Sequence, residues 1–275
     1  MKKMVYEIIK HLVLFIYGLF TLVPMIWVLL SAFKNNIQIM TDPLGLPTSF
    51  EIDNFVFTWV QGNIGIYFLN SLFVGSIATV LTILFSAATA FALTRMLYPK
   101  MNKLFTTILL TGLTVPAGVL LIPLYFVLVD YNIYNTYLAL ILPYIAFGLS
   151  FTVIVIMAFM RSIPDELLEA AVIDGSTLIH MFWKVALPLC VPVLVTTFIL
   201  AFINNWNEFV MAQFYIDNVK IRTLPVGMLA FRDEYTTNYT GIAVGVLYSV
   251  IPVLIVYGIL QEKIISGLTA GSLKG

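Results

Sequence analysis

Six long stretches of this 275-residue chain carry no charged side chain, and this feature limits the possible fold more than any other. A helix that crosses a membrane needs about 20 mostly apolar residues. The stretches are too long, and alternate too little, for the strands of a membrane barrel, which run to about 9–11 residues. They lie at 12–33, 66–94, 104–129, 131–160, 185–207 and 235–261. We therefore predict an all-α polytopic membrane protein with six transmembrane helices.

Basic residues are unevenly divided between the two sides that six spans would create. Ten of the 14 Lys and Arg residues fall on the side of both termini. Because cytoplasmic loops are enriched in Lys and Arg, we predict that both termini are cytoplasmic. The chain would form one domain, which consists of an N-terminal helix with its outer loop (1–65), a five-helix core (66–261) with a cytoplasmic loop (161–187), and a cytoplasmic tail (262–275).

Composition excludes several other classes of protein. The chain is 61% apolar and 10% charged, whereas soluble domains are about 25% charged. Its formal net charge is zero, so it lacks the basic footprint of a nucleic-acid-binding protein. One cysteine and two histidines leave little material for a metal site, and none is predicted. The sequence has no P-loop motif, so no nucleotide is expected to bind by that route.

The cytoplasmic loop at 161–187 shows the pattern of two short helices separated by a break. Ser162 is expected to be the N-cap, and Pro164 suits the first turn. Gly175 is expected to end this helix, and Ser176 or Thr177 to cap the next one.

The first of these helices has one apolar and one acidic face. The apolar stripe consists of Leu167, Leu168, Ala171 and Val172, and the acidic face of Asp165, Glu166 and Glu169. Such a helix either lies on the membrane surface or docks a soluble partner. An acidic helix suits anionic lipid poorly, but periodicity alone leaves both interpretations open.

The same loop resembles the EAA signature of ABC-importer permeases. The matching residues are Glu169-Ala170-Ala171, Asp174-Gly175, Phe182, Pro188 and Pro192. Ser176 departs from the usual alanine. The resemblance implies that this helix is the coupling helix, which sits in a groove of a separate ATPase subunit. The residues implied in coupling are Glu169, Ala170, Ala171, Asp174, Gly175 and Ser176.

Two further segments, Trp206-Asn207-Glu208-Phe209 and the C-terminal segment 267–275, are similar to carbohydrate-type (maltose-type) permeases. The pattern of one extra N-terminal helix before a five-helix core, with a large first outer loop, is similar to the smaller permease subunit of such importers. This resemblance implies a sugar importer with a second related permease, two ATPase subunits and an extracytoplasmic sugar-binding protein. ATP and Mg²⁺ would then bind the partner subunits, with no cofactor on this chain. It also implies that Gly271, Ser272 and Lys274 contact the ATPase, whereas the residues alone indicate only a frayed terminus.

A polar cluster at the end of the fifth stretch is a candidate substrate pathway. Polar residues in a span usually face the bundle interior or a cavity. The cluster contains Asn204, Asn205, Trp206, Asn207 and Glu208, and Tyr144 and Phe147 of the fourth stretch are further candidates. The alternatives are a structural role at the outer membrane interface for the cluster, and ordinary packing for the two aromatic residues.

Two other functional classes compete with the importer subunit. An ion-coupled secondary transporter usually places acidic residues or His at mid-membrane. Here every acidic side chain except Glu208 falls in a loop or at an edge. An intramembrane enzyme would need catalytic motifs that the sequence lacks. Monosaccharides, oligosaccharides and glycerol phosphates all remain possible substrates, although no Lys or Arg cluster faces a span.

Overall fold

A computed structural model describes residues 2–96, 98–232 and 236–270, with side chains as far as residue 259. The chain within those ranges is almost entirely helical. The helices are α1 (Lys2–Ala32), α2 (Asn36–Thr41), α3 (Asp53–Val60), α4 (Ile64–Arg95), α5 (Pro99–Thr114), α6 (Leu121–Asp130), α7 (Leu138–Met160), α8 (Asp165–Ile173), α9 (Leu178–Met181), α10 (Leu187–Leu189), α11 (Val191–Trp206), α12 (Val210–Tyr215), α13 (Leu224–Gly227) and α14 (Tyr239–Ala270). A π-helical segment, Phe182–Ala186, joins α9 to α10.

Four of the described helices are long and apolar enough to cross a membrane by themselves. They are α1, α4, α7 and the Tyr239–Ile259 part of α14. Two bent pairs pass the same test together: α5 with the segment Ala117–Asp130, bent by 91°, and Leu178–Leu189 with α11, bent by 77°. The all-helical, polytopic prediction is therefore confirmed, and the number of apolar segments is four to six, depending on how the bent pairs are counted.

The sequence pattern predicts one helix for each of the third and fifth apolar stretches, and the structure shows a bend in both. Val115 is extended (φ −85°, ψ 113°) where it precedes Pro116, because a proline disfavours helical geometry in the residue before it. The second bend lies at Cys190. Pro188 and Pro192 on either side of it cannot donate backbone hydrogen bonds, which weakens the helix there.

The centre of the bundle consists of α4, α7 and α11. Asn70 bonds Tyr137 at the start of α7, and Arg95 contacts Met160 at its end, so α4 and α7 run parallel. Helix α11 runs in the opposite direction against them. The buried polar residues on α4 are Asn70, Ser71, Thr79, Thr82 and Ser86. This central helix therefore depends on its neighbours for polar contacts as well as for packing.

Helix α1 lies at the periphery and contacts α14. Most of its large apolar side chains are 39–81% exposed. The loop after α1 folds around Lys34, whose side chain is 1% exposed and whose Nζ donates to the carbonyls of Asp42 (3.0 Å) and Pro43 (3.2 Å). Residues 43–49 contain no helix, as their Pro and Gly content predicts.

Candidate functional site

Helix α8 begins immediately after Pro164 and lies across the end of the bundle. Its N-cap is Pro164, and no side chain caps it. The prediction that Ser162 is the cap is wrong, because its hydroxyl donates instead to the Phe159 carbonyl at 2.7 Å, in the last turn of α7. Asp165 and Glu166 occupy the first turn, where negative charge is favourable to the helix dipole.

The apolar stripe of α8 divides into a buried and an exposed half. Leu168 is 6% exposed and packs with Met181 and Phe182, and Ala171 is also buried. Leu167, Val172 and Ile173 are 48%, 58% and 84% exposed. The helix is thus attached to the bundle by one side and presents apolar side chains on another. Glu169 and Ala170 are exposed as well.

The predicted break at Gly175 is confirmed. Its φ of +79° is the left-handed conformation that glycine adopts without strain. The Ser176 N–H donates to the Ala171 carbonyl at 3.0 Å, which closes the turn. Thr177 then caps α9 by accepting from the His180 N–H, so of the two candidate caps Thr177 has this role. Exposed apolar side chains continue beyond the turn at Leu178, Ile179 and Trp183.

The predicted pathway residues partly converge on one cavity of about 270 Å³. Five of them line it, namely Tyr144, Phe147, Asn204, Asn205 and Glu208. Glu208 accepts hydrogen bonds from the Tyr144 hydroxyl (2.8 Å) and from the backbone N–H groups of Met211 (2.7 Å) and Ala212 (3.1 Å). Its carboxylate therefore also fixes the start of α12.

The two asparagines of the cavity have different environments. Asn205 is buried and its Nδ2 donates to the Thr79 hydroxyl at 3.0 Å, which joins α11 to α4. Asn204 is exposed to the cavity. The cavity wall therefore combines a carboxylate, a phenol and an amide with the aromatic ring of Phe147, and none of its described lining residues is basic.

Trp206 and Asn207 lie away from the cavity lining. Trp206 is 1% exposed, stands against the rings of Phe68 and Phe202, and donates its Nε1–H to the Ser249 carbonyl at 3.0 Å. Asn207 is exposed, and its amide bonds the Ile203 carbonyl of its own helix. The candidate tail residues Gly271, Ser272 and Lys274 fall outside the described residues.

At the opposite end of the bundle from α8, Asn70 fastens a loop that the sequence did not associate with it. Its Nδ2 donates to the carbonyls of Lys220 and Arg222, each at 2.9 Å, and its Oδ1 accepts from the Tyr137 hydroxyl at 2.7 Å. The neighbouring Ser71 hydroxyl accepts from the Leu224 N–H at 2.7 Å. The sequence does show that Asn70 and Ser71 form a polar pair in an apolar stretch. Their partners in the loop, however, lie 150–153 residues further along the chain.

A second contact holds the same loop from its other side. The Tyr134 hydroxyl donates to Asp217 Oδ2 at 2.6 Å, and Asn135 Oδ1 accepts from the N–H groups of Asp217 and Asn218. The bond to Asp217, with a smaller contribution from burial, raises the pKa of Tyr134 to about 12. The 217–224 segment is therefore fixed to the starts of both α4 and α7.

Residues 82–268 match the family described as binding-protein-dependent transport system inner membrane components. The chain is 39% identical over 262 residues to the probable ABC transporter permease protein YurM of Bacillus subtilis, covering 95% of this chain and 87% of that protein. It is 34% identical to the diacetylchitobiose uptake system permease protein NgcG of Streptomyces coelicolor, covering 97% and 88%. A crystal structure of a bacterial ABC transporter that imports the acidic polysaccharide alginate shares the fold, with a TM-score of 0.82, 20% identity, and coverage of 94% of this chain and 96% of that chain.

Proposed function

The chain belongs to the family of binding-protein-dependent transport system inner membrane components, and from this premise we propose that it is the smaller permease subunit of an ABC importer that moves a sugar into the cell. It is a multi-pass protein of the inner membrane. All six apolar segments, including the two bent pairs, cross the membrane, and both termini are cytoplasmic. The division into residues 1–65, 66–261 and 262–275 is part of this proposal.

The observation that carries the proposal is the exposed apolar surface of α8 and the turn that follows it. Exposed apolar patches of this kind mark sites of protein–protein interaction. Val172, Ile173 and Ile179 contribute to the patch, and each is more than half exposed. We assign it to an ATPase subunit, with α8 as the coupling helix. The contacting residues would be Glu169, Ala170, Asp174, Gly175 and Ser176, while Ala171, which is buried, would hold α8 against the bundle. The acidic residues beside the patch disfavour the alternative, a helix lying on anionic lipid.

The chain is not an enzyme in this scheme, and its relatives are transport permeases. Two separate ATPase subunits bind ATP and Mg²⁺, and their closure drives alternating access. A second, related permease completes the pathway, and an extracytoplasmic sugar-binding protein delivers the substrate at the outer loops. The contact of Gly271, Ser272 and Lys274 with the ATPase subunits is also part of this proposal. Family membership does not favour the alternative of an ion-coupled secondary transporter.

Glu169→Lys tests the docking assignment. Glu169 is exposed, and among the described residues it forms no ion pair, so inverting its charge should leave the fold unchanged and weaken docking. We expect the tagged variant to insert normally but to retain less ATPase on purification from its native membranes, with loss of uptake. Glu7→Lys is the control, because it inverts an exposed carboxylate on the same proposed side, and the exposed ion pair of Glu7 with Lys10 contributes little to stability. Equal ATPase recovery and uptake for Glu169→Lys and wild type would refute the assignment.

The cavity beside Glu208 supports a sugar as the substrate. Amide and carboxylate groups suit sugar hydroxyls, and the ring of Phe147 suits an apolar sugar face. The absence of basic groups from the cavity lining disfavours a phosphorylated sugar. Asn204→Leu should raise the KM for uptake about five- to tenfold, the cost of one hydrogen bond. Asn207→Leu, at an exposed amide outside the cavity lining, should leave KM unchanged. Equal KM values for the two variants would show that the cavity is not part of the substrate pathway.

A further inference from the structure

Arg95, the last residue of α4, reaches three acceptors on the segment that leads into α8. Its Nη1 donates to a carboxylate oxygen of Asp165. Its Nη2 donates to the carbonyl of Met160 and, at 3.1 Å, to that of Ile163. The Arg95 side chain is 12% exposed and that of Asp165 is 78% exposed, so the guanidinium is largely shielded from water whereas the carboxylate faces it. One guanidinium therefore joins the end of α4 to the last residue of α7, to the linker that follows, and to the first residue of α8.

The chemistry of this contact is specific to arginine. The guanidinium is planar and presents several N–H donors in a fixed fork, whereas a lysine ammonium is a single point charge on a flexible stem. Hydrogen bonds from a charged donor are shorter and stronger than those between neutral groups. Lysine at position 95 could not reach all three acceptors in the same geometry.

Helix α8 is otherwise attached to the bundle through apolar packing. Leu168 and Ala171 supply that contact, and both lie toward the middle and C-terminal half of the helix. Arg95 holds the first turn through Asp165. Two separated points of attachment prevent α8 from pivoting about its buried side. Without the guanidinium, α8 could tilt while α4 and α7 stayed where they are.

We propose that Arg95 is a positioning residue that makes α8 move together with α4 and α7 when the ATPase subunits change conformation. The inference rests on the proposed function, since it takes α8 as the coupling helix. Helix α4 then connects the contact between Arg95 and α8 to the opposite end of the bundle. Asn70, which fastens the 217–224 segment, lies on the same helix about 38 Å from Arg95 at 1.5 Å per residue.

The test compares Arg95→Gln with Arg161→Gln in the purified transporter complex. Arg161 is the matched control, because it lies at the same end of the bundle, is exposed, and within the described ranges its guanidinium has only a sulfur contact, with Met157 of α7. Both variants remove one positive charge from that side, so a general effect of charge on membrane topology appears equally in both. The probe is ATP with Mg²⁺. The readout is backbone hydrogen exchange in peptides covering 165–173 and 217–224, with and without the nucleotide.

We expect ATP to change exchange in both segments in the wild type and in Arg161→Gln. In Arg95→Gln the change at 165–173 should persist, whereas the change at 217–224 should fall at least tenfold, because all three hydrogen bonds of the guanidinium are lost. A merely structural role would alter basal exchange or assembly equally with and without ATP. An undiminished response at 217–224, or equal losses in the two variants, would overturn the proposal.

Two further outcomes are distinguishable from these. If the wild-type chain purifies without any ATPase, the proposed function itself fails. If Arg95→Gln does not assemble, Arg95→Lys replaces it, since it keeps the charge but cannot reach all three acceptors. Arg95→Lys should then assemble and show a partial loss of the ATP response at 217–224. A full response in Arg95→Lys would overturn the inference and leave the proposed function intact.

Discussion

Replacing Asn70 by alanine should release the 217–224 segment from α4. The substitution removes both bonds from Nδ2 to the carbonyls of Lys220 and Arg222, and the bond that Oδ1 accepts from the Tyr137 hydroxyl. Tyr137→Phe removes only the last of the three. The pair of variants therefore separates the two bonds that reach the segment from the bond between α4 and the start of α7, without changing any residue of the loop itself.

The expected magnitude follows from the number of bonds. Each net hydrogen bond contributes about 1 kcal/mol, and two of the three bonds reach the segment, so Asn70→Ala should lower the free energy of local opening by about 2 kcal/mol. Since 1.4 kcal/mol corresponds to a factor of ten, the open population should rise about 30-fold, whereas Tyr137→Phe leaves both of these bonds in place and should change it little. The Ser71 bond to Leu224 remains in both variants and limits the opening to the segment before it.

Trypsin provides the assay, because the segment contains Lys220 and Arg222. Lys220 is exposed but lies in the short helical turn Val219–Ile221, and cleavage requires this turn to open. When opening and closing are fast, the rate of cleavage tracks the population of the open form. We expect cleavage after Lys220 or Arg222 in detergent solution to accelerate in the ratio given above, with fragment masses identifying the site.

Asn207→Ala serves as the control, since its amide bonds a carbonyl of its own helix and does not touch the loop. Its cleavage rate should equal that of the wild type. An Asn70→Ala rate within a factor of two of the wild type would refute the reasoning. It would mean that the loop is held by its other contacts and that Asn70 contributes packing alone.

Three other outcomes are expected. Gly175→Val should lower uptake, because a side chain at φ +79° costs about 1–2 kcal/mol, whereas Gly175→Asn should keep most of the uptake. Equal uptake by Gly175→Val and the wild type would show that the left-handed turn is not required. Thr79→Val should lower the free energy of unfolding by about 1–3 kcal/mol in thermal melts, since it leaves the buried Asn205 Nδ2 without its acceptor, and an unchanged Tm would contradict this. The raised pKa of Tyr134 means that the folded protein holds this proton more tightly than the unfolded chain. Stability should therefore fall as pH rises from about 10 to about 12, and Tyr134→Phe should reduce this fall in pH-dependent melts.

Much of the helical framework could be predicted from the sequence, because uncharged stretches of more than 20 residues have few alternatives in a membrane. The loop at 161–187 was predicted in most of its detail. A helix ends before Gly175, and Thr177 caps the next one. These features depend on residues within a few positions of each other, so local sequence is sufficient to reveal them.

The bends were missed for a specific reason. Neighbouring helices can satisfy the groups that a proline frees, so a proline inside an apolar stretch either breaks a helix or is accommodated. Pro143 lies inside α7 and Pro252 inside α14, whereas Pro116 follows the end of α5. The outcome depends on which helices lie alongside, and the sequence of one stretch does not contain that information.

Side-chain partners across the bundle were likewise beyond prediction. Arg95 meets Asp165 across 70 positions, and Asn70 meets Arg222 across 152. Trp206 looked like an interfacial or sugar-contacting residue, yet its indole is buried between Phe68 and Phe202. Such pairings depend on how helices rotate against each other, which periodicity does not determine.

The polar surface of α4 has a consequence for how the chain is made. The hydroxyl of Thr79 bonds Asn205, which is synthesised 126 residues later, and Asn70 bonds Lys220, which is synthesised 150 residues later. At about 5–20 residues per second, Asn205 is synthesised roughly 6–25 s after Thr79. During that interval the amide and hydroxyls of α4 lack their final partners, which makes the helix less stable in the bilayer than it is in the finished protein. Substitutions that weaken α11 should therefore reduce the yield of newly made chain more than they reduce the stability of the finished protein.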